Sequence, residues 1–183
     1  MSNVNEIKKE LKGALRQFPN FPSEGILFED FLPIFSKPEL FQKLIDAFKI
    51  QLEGKKVDYI VGLESRGFLF GPTLALSLGV GFIPARKPGK LPGSVHSVEF
   101  QKEYGSDKLE MQVGVIEEGS NVVIVDDILA TGGTAAAAES LVKKSGANVL
   151  EFLFVMELDF LKGQSKLGAP VYTLLTGQEE KLK

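Results

Sequence analysis

Two adjacent carboxylates, Asp126 and Asp127, stand between a run of β-branched residues and a pair of glycines in the segment VVIVDDILATGGT, Val122 to Thr134. Charged groups do not stay ionised in a dry core without partners. The aspartates are therefore expected to end a buried strand and face the crevice beyond its carboxyl end, where open α/β sheets bind ligands. Ala130, Thr131, Gly132, Gly133 and Thr134 then offer backbone amides with little side-chain bulk in front of them. At a helix N-terminus such amides lack internal partners and sit at the positive end of the dipole. Each hydrogen bond to a charged group contributes about 1.5–3 kcal/mol, against roughly 0.3–2 kcal/mol from the dipole. The amides and threonine hydroxyls thus do most of the holding. Carboxylates suit sugar hydroxyls and the loop suits a phosphate, so the segment reads as a site for a phosphorylated sugar.

Two other readings of the same residues exist. A glycine-rich turn after a strand can be a tight structural corner. Phosphate-receiver domains also carry an Asp-Asp pair after a strand, where it holds magnesium. There the pair ends the first strand, with no Thr-Gly-Gly-Thr behind it; here it falls past the middle of the chain. Other groups are mute when taken singly. Arg66, in Leu63-Glu64-Ser65-Arg66-Gly67, reads alone as a solvated arginine in a turn. Arg86, Lys87 and Lys90 read alone as a solvated face, Glu103 as a loop charge, and Phe28 and Leu158 as core. His96, the only histidine, is assigned no catalytic role.

The elements that must position these groups follow from the apolar pattern. Ile7, Leu11, Ala14, Leu15 and Phe18 recur at helical spacing, and Pro19, Pro22 and Gly25 break the run. Ser36 to Glu39 reads as a capping box opening a helix whose face is Phe41, Leu44, Ile45, Phe48 and Leu52. Strands are expected at 57–61, 81–86, 122–125, 149–156 and 171–175. Helices are expected at 67–78, starting late or kinked because of Pro72, and at 134–145. Alternating βα units with nearly continuous apolar strands predict an α/β fold, a mainly parallel sheet covered by helices on both faces. Residues 87–118 interrupt the alternation, with weak strand signals at 95–100 and 109–113, and read as a flexible lid.

The chain has 183 residues, 44% hydrophobic and 25% charged, which fits one domain, 1–183, with residues 1–36 as N-terminal helix and hood. A net charge of −3 leaves no basic field for nucleic acid. The absence of cysteine excludes disulfides, thiolate catalysis and cysteine–zinc sites. With no signal-peptide pattern and no apolar run of membrane length, a cytoplasmic protein without membrane partners is expected.

VVIVDDILATGGT resembles the phosphoribosyl-pyrophosphate signature of the type I phosphoribosyltransferases. FPNFPSEGILFEDFLPIF, YIVGLESRGFLFGPTLA, RKPGKLPG, EYGSDKLEMQ and VMELDFLKG extend the resemblance along nearly the whole chain, to the adenine-specific branch and its fungal members. The resemblance implies transfer of a 5-phosphoribosyl group from phosphoribosyl pyrophosphate to N9 of adenine, with Mg2+. It implies that Asp126 and Asp127 hold ribose hydroxyls or their metal shell, and that Ala130 to Thr134 cradle the 5′-phosphate. Glu64, Ser65 and Arg66 form the diphosphate loop, with a cis peptide expected between Glu64 and Ser65. Arg86, Lys87 and Lys90 are implied to bind diphosphate, Arg86 across a homodimer interface. Glu103, with Tyr104, handles the ring proton of adenine. Leu27, Phe28, Glu29 and Leu158 form the base site. Many animal members carry arginine where this chain has Glu29, so a base contact there falls to the backbone. The alternative is a relative with weakened turnover, serving as a nucleotide-binding or regulatory protein.

Overall fold

The computed structural model describes residues 3–21, 24–25, 27–101 and 105–176. Asn3 and Glu6 form a capping box that opens helix α1, Val4–Gly13, and Ile7 and Leu11 are buried on its inner face. The helical spacing suggested a run to Phe18, but Arg16–Pro19 is instead a strand, β1, paired antiparallel with β2, Leu27–Asp30. The residue before a proline is driven out of the helical region, and Phe18 precedes Pro19. Phe18 lies opposite Phe28.

Helix α2, Pro38–Gln51, buries Leu40, Leu44, Ile45, Ala47 and Phe48. Phe41 is only partly buried, so Leu40 takes the leading place expected of Phe41. The expected capping box does not form. Lys37 occupies the N-cap position without a side-chain bond, and Ser36 Oγ donates to the Pro33 carbonyl at 2.8 Å. Proline prefers the first helical position, which leaves the cap to the residue just before it.

Strands β3, Tyr59–Leu63, and β4, Gly81–Ala85, flank helix α3, Gly71–Leu78. A single helical turn, Arg66–Leu69, precedes α3, so the helix does start late, at Gly71, with Pro72 in its first turn. An antiparallel ribbon of β5, Val95–Gln101, and β6, Ser106–Gln112, follows. Strand β7, Asn121–Leu129, helix α4, Gly133–Lys144, and strands β8, Asn148–Glu157, and β9, Val171–Thr176, complete the fold.

The main sheet has the order β4-β3-β7-β8-β9, with every neighbouring pair parallel. Both faces are covered, as the nearly continuous apolar strands require. Val123 and Val125 point into a core shared with α1, α2 and α3. Val122 and Ile124 point the other way, into a core shared with α4 and the ribbon residues Leu109 and Met111. The interruption at 87–118 is therefore anchored at its base. Backbone bonds between Arg86 and Glu110, at 2.9 and 2.7 Å, tie β6 to the end of β4. Among the described residues no helix is long and apolar enough to cross a membrane.

Phe48 joins α2 to the sheet layer. It is fully buried, stacks on Phe70 at 5.4 Å and meets Tyr172 edge-on at 6.4 Å. Phe48→Ala is expected to cost about 3–5 kcal/mol of unfolding free energy, measured by urea denaturation. A loss below about 1 kcal/mol would show that the site collapses around the cavity.

Candidate active site

Parallel strands carry their following loops to one edge of the sheet. Reading across that edge, β4 delivers Arg86 and Lys87, and β3 delivers Glu64, Ser65 and Arg66. Next to β3, β7 delivers the aspartates and the glycine loop, and β8 delivers Leu158. Residues far apart in the chain thus meet in strand order.

The aspartates do not end their strand. β7 runs on to Leu129, with Asp126 opposite Phe154 and Leu129 opposite Glu157 of β8. Asp127 is 3% exposed, and Arg66 Nε lies 2.8 Å from its Oδ2. That oxygen has no aligned hydrogen bond, so the contact is electrostatic rather than directional. Asp126 lines a crevice of about 80 Å³ together with residues 128–135 and Phe154. It is partly open there, yet the surrounding protein desolvates it. Desolvation, then the charge of Asp127, pushes the Asp126 carboxyl well above the ordinary carboxylate range.

The glycine loop also lines this crevice. Gly132, with φ +78°, is the N-cap of α4, and no side chain caps the helix. The amides at the start of α4 are left for another acceptor.

The peptide bond between Glu64 and Ser65 is cis, as expected. Glu64 accepts from Arg86 Nη2 at 3.1 Å, Arg86 Nε at 3.2 Å and the Lys87 amide at 2.9 Å. These bonds, led by the Arg86 side chain, hold the Glu64 carboxyl below its ordinary range. Arg86 Nη1 donates to the Lys90 carbonyl at 3.3 Å, and Lys87 Nζ lies 3.9 Å from Asp107. Arg86 and Lys87 of the expected cationic run are therefore already close to acidic and carbonyl groups of their own chain.

Leu158 is tied to the end of β7, just before the glycine loop, by its amide, which donates to the Leu129 carbonyl at 2.9 Å. Leu27, Phe28 and Glu29 stand apart, on β2 of the separate hairpin. Gln17 Nε2 donates to Glu29 Oε1 at 3.1 Å, so that side chain is engaged across the hairpin. Phe28 meets Phe21 edge-on at 5.0 Å. Glu103 and Tyr104 lie outside the described residues. Gln101, just before them, sits over the glycine loop: a Cβ on Gly133 would lie 3.2 Å from its carbonyl oxygen. Sequence reasoning stopped at Leu158 and passed over Gly163. The terminal glycine of VMELDFLKG was the available signal.

Among the described residues no three His, Cys, Asp or Glu side chains are arranged to hold a metal. Asp126 and Asp127 nevertheless fit Mg2+. They are hard oxygen donors beside an open crevice, and one Asp127 oxygen lacks a directional partner. Magnesium keeps much of its shell as water and substrate oxygens and needs one or two protein carboxylates.

An open parallel sheet with acidic, cationic and amide groups along one edge is the architecture of a phosphate-handling α/β enzyme. Residues 34–179 match the phosphoribosyl transferase domain. Among curated relatives, adenine phosphoribosyltransferase of Debaryomyces hansenii is 66% identical over 180 residues, spanning 98% of this chain and 97% of the relative. Adenine phosphoribosyltransferase 1 of Saccharomyces cerevisiae is 69% identical over 185 residues, spanning 99% of each. A crystal structure of the Saccharomyces cerevisiae enzyme, complexed with adenine and an imino-altritol bisphosphate, superposes with a TM-score of 0.91 at 68% identity. That match covers 93% of this chain and 99% of the other. The chain belongs to the adenine phosphoribosyltransferase family.

The Glu64–Arg86 pair yields a pH-dependent expectation. A depressed folded pKa stabilises the fold above the unfolded value, 4.5 for this carboxyl, and the gain is lost as pH falls through the folded pKa. Glu64→Gln is expected to cost about 1–2 kcal/mol near neutral pH. The penalty should shrink toward zero in acid, read from denaturant midpoints at a series of pH values. A penalty that is constant across that series would rule out the ionised pair as its source.

Proposed function

We infer that this protein transfers the 5-phosphoribosyl group of phosphoribosyl pyrophosphate to N9 of adenine, giving AMP and pyrophosphate in purine salvage. One observation carries the reading. The carboxyl edge of the sheet bears, in strand order, cations, paired carboxylates, uncapped helix amides and an apolar residue. Those groups answer diphosphate, ribose hydroxyls, 5′-phosphate and base. Relatives matching nearly the full length are named adenine phosphoribosyltransferases.

In this reading the amides of Ala130 to Thr134 and the threonine hydroxyls hold the 5′-phosphate. Asp126 and Asp127 orient the ribose hydroxyls. Arg66, with the loop at Glu64 and Ser65, and Arg86, Lys87 and Lys90 receive the diphosphate. Bound with the substrate through the aspartates, Mg2+ supplies positive charge against the leaving diphosphate. The bond from C1′ to the diphosphate oxygen breaks and the bond from N9 to C1′ forms. Glu103, beside Tyr104, takes the adenine ring proton as N9 becomes the nucleophile. The base lies against Phe28 and Leu158 and is read by backbone groups at Leu27 and Glu29. The engagement of the Glu29 side chain with Gln17 supports a backbone role.

The ribbon tip between β5 and β6 acts as a lid that keeps water from the developing cation at C1′. The position of Gln101 over Gly133 supports this, and the burial of Leu109 and Met111 anchors the ribbon beneath it. A homodimer is part of the proposal. Leu76, 83% exposed on α3, supports an apolar surface for a second copy. The lack of cysteine suits a cytoplasmic site of action.

Pure protein with Mg2+ and phosphoribosyl pyrophosphate is expected to form AMP from adenine and little nucleotide from guanine or hypoxanthine. Chromatography of the products decides this, and folded protein that forms no AMP sinks the assignment of activity. Glu103→Ala is expected to lower turnover by roughly 10²–10⁴-fold while leaving AMP affinity largely intact. Normal turnover in that variant would remove Glu103 from the mechanism.

A further inference from the structure

Two glycines cross where the phosphate loop meets the loop after β8. Gly132, with φ +78°, faces the carbonyl of Gly163, and Gly163 faces the carbonyl of Ala130. A Cβ on either residue would fall far inside van der Waals contact with the opposing backbone. A Cβ on Gly163 would also lie 3.0 Å from the Gly132 nitrogen and 3.0 Å from Leu129 Cδ1. The contact is backbone to backbone, so no flexible side chain can give way.

The segment around Gly163 is held on both sides. Before it, the Leu158 amide donates to the Leu129 carbonyl, and Lys162 takes a left-handed conformation at φ +51°. After it, Gln164 Nε2 donates to the buried Glu157 carboxylate, which also accepts from Thr173 Oγ1 at 3.2 Å. Gly163 itself is buried. The loop that carries Leu158 and the loop that carries Thr131 to Thr134 thus press together at one point.

We propose that Gly163 is a positioning residue that sets the distance between the base side and the 5′-phosphate side of the site. The proposal rests on the reading of the site as one for adenine and a phosphoribosyl group. AMP touches both loops at once, so its affinity depends on their spacing. Pyrophosphate does not. Its proposed residues follow β3 and β4, on the far side of β7 from β8. Gly163→Ala pushes the two loops apart by about 1 Å, a displacement large enough to cost on the order of 10²-fold in a site built for one geometry.

The test is calorimetric titration of wild-type, Gly163→Ala and Gln164→Ala proteins with AMP and, separately, with pyrophosphate and Mg2+. Gly163→Ala is expected to weaken AMP by roughly tenfold or more while pyrophosphate stays within about twofold. Gln164→Ala loosens the same loop without added bulk and is expected to weaken AMP by a smaller factor, with pyrophosphate again unchanged. A general loss of structure would weaken both ligands together, and that outcome overturns the proposal. So does Gly163→Ala protein that binds AMP as wild type does. If Gly163→Ala does not fold, unaltered AMP affinity in Gln164→Ala overturns it. Wild-type protein that binds AMP but forms none from adenine would count against the proposed activity and not against the spacing role. Wild-type protein that binds no AMP ends both.

Discussion

The buried carboxylate of Asp127, faced by the Arg66 guanidinium at 2.8 Å, is the constraint around which the site is arranged. A charge taken out of water needs a partner, and here the partner comes from the neighbouring strand's loop. That demand fixes where the turn after β3 must sit. Gly67 lets it do so, because a Cβ there would lie 2.7 Å from the Val125 carbonyl. The pair is close but not aligned as a hydrogen bond. Glu64 and Arg86 repeat the arrangement one strand further out, there as a two-pronged hydrogen-bonded fork. Both arginines thus rest on carboxylates of their own chain.

The chemistry of the site was legible where it is local. The glycine loop brings small residues, amides and a helix start in immediate succession, and all of them lie within VVIVDDILATGGT. The extension of β7 through the aspartates was not legible, because it depends on β8 being long enough to pair as far as Leu129. The hairpin of β1 and β2 was missed because Phe18 falls by chance at a helical interval, while the proline beside it dictates extended backbone. Although VMELDFLKG ends on Gly163, its crossing with Gly132 was not legible, for the same reason as the β7 extension: two segments 31 residues apart meet only once β7 and β8 are neighbours.

The ribbon gave weak strand signals because its two faces meet different surroundings. β6 buries Leu109 and Met111 against α4 and the sheet, while Ser106 and Lys108 face solvent. Short alternation between long breaks is hard to separate from irregular chain. The same packing fixes the ribbon at its root, against α4 and the end of β4.

The amino-terminal edge of the sheet has the opposite character. There the Asp58 carboxylate accepts from the Asn121 amide at 2.8 Å, and the Asp58 amide donates to the Asn121 carbonyl at 2.9 Å. Buried Glu151 is answered by both Lys55 and Gln51, each at 2.7 Å. Charges are matched within the chain at both ends, but only the carboxyl edge also leaves the amides at the start of α4 without a side-chain cap. Durability and reactivity therefore reside at opposite poles of one sheet. A change at Lys55 or Gln51 therefore acts on the fold from the edge opposite the uncapped start of α4.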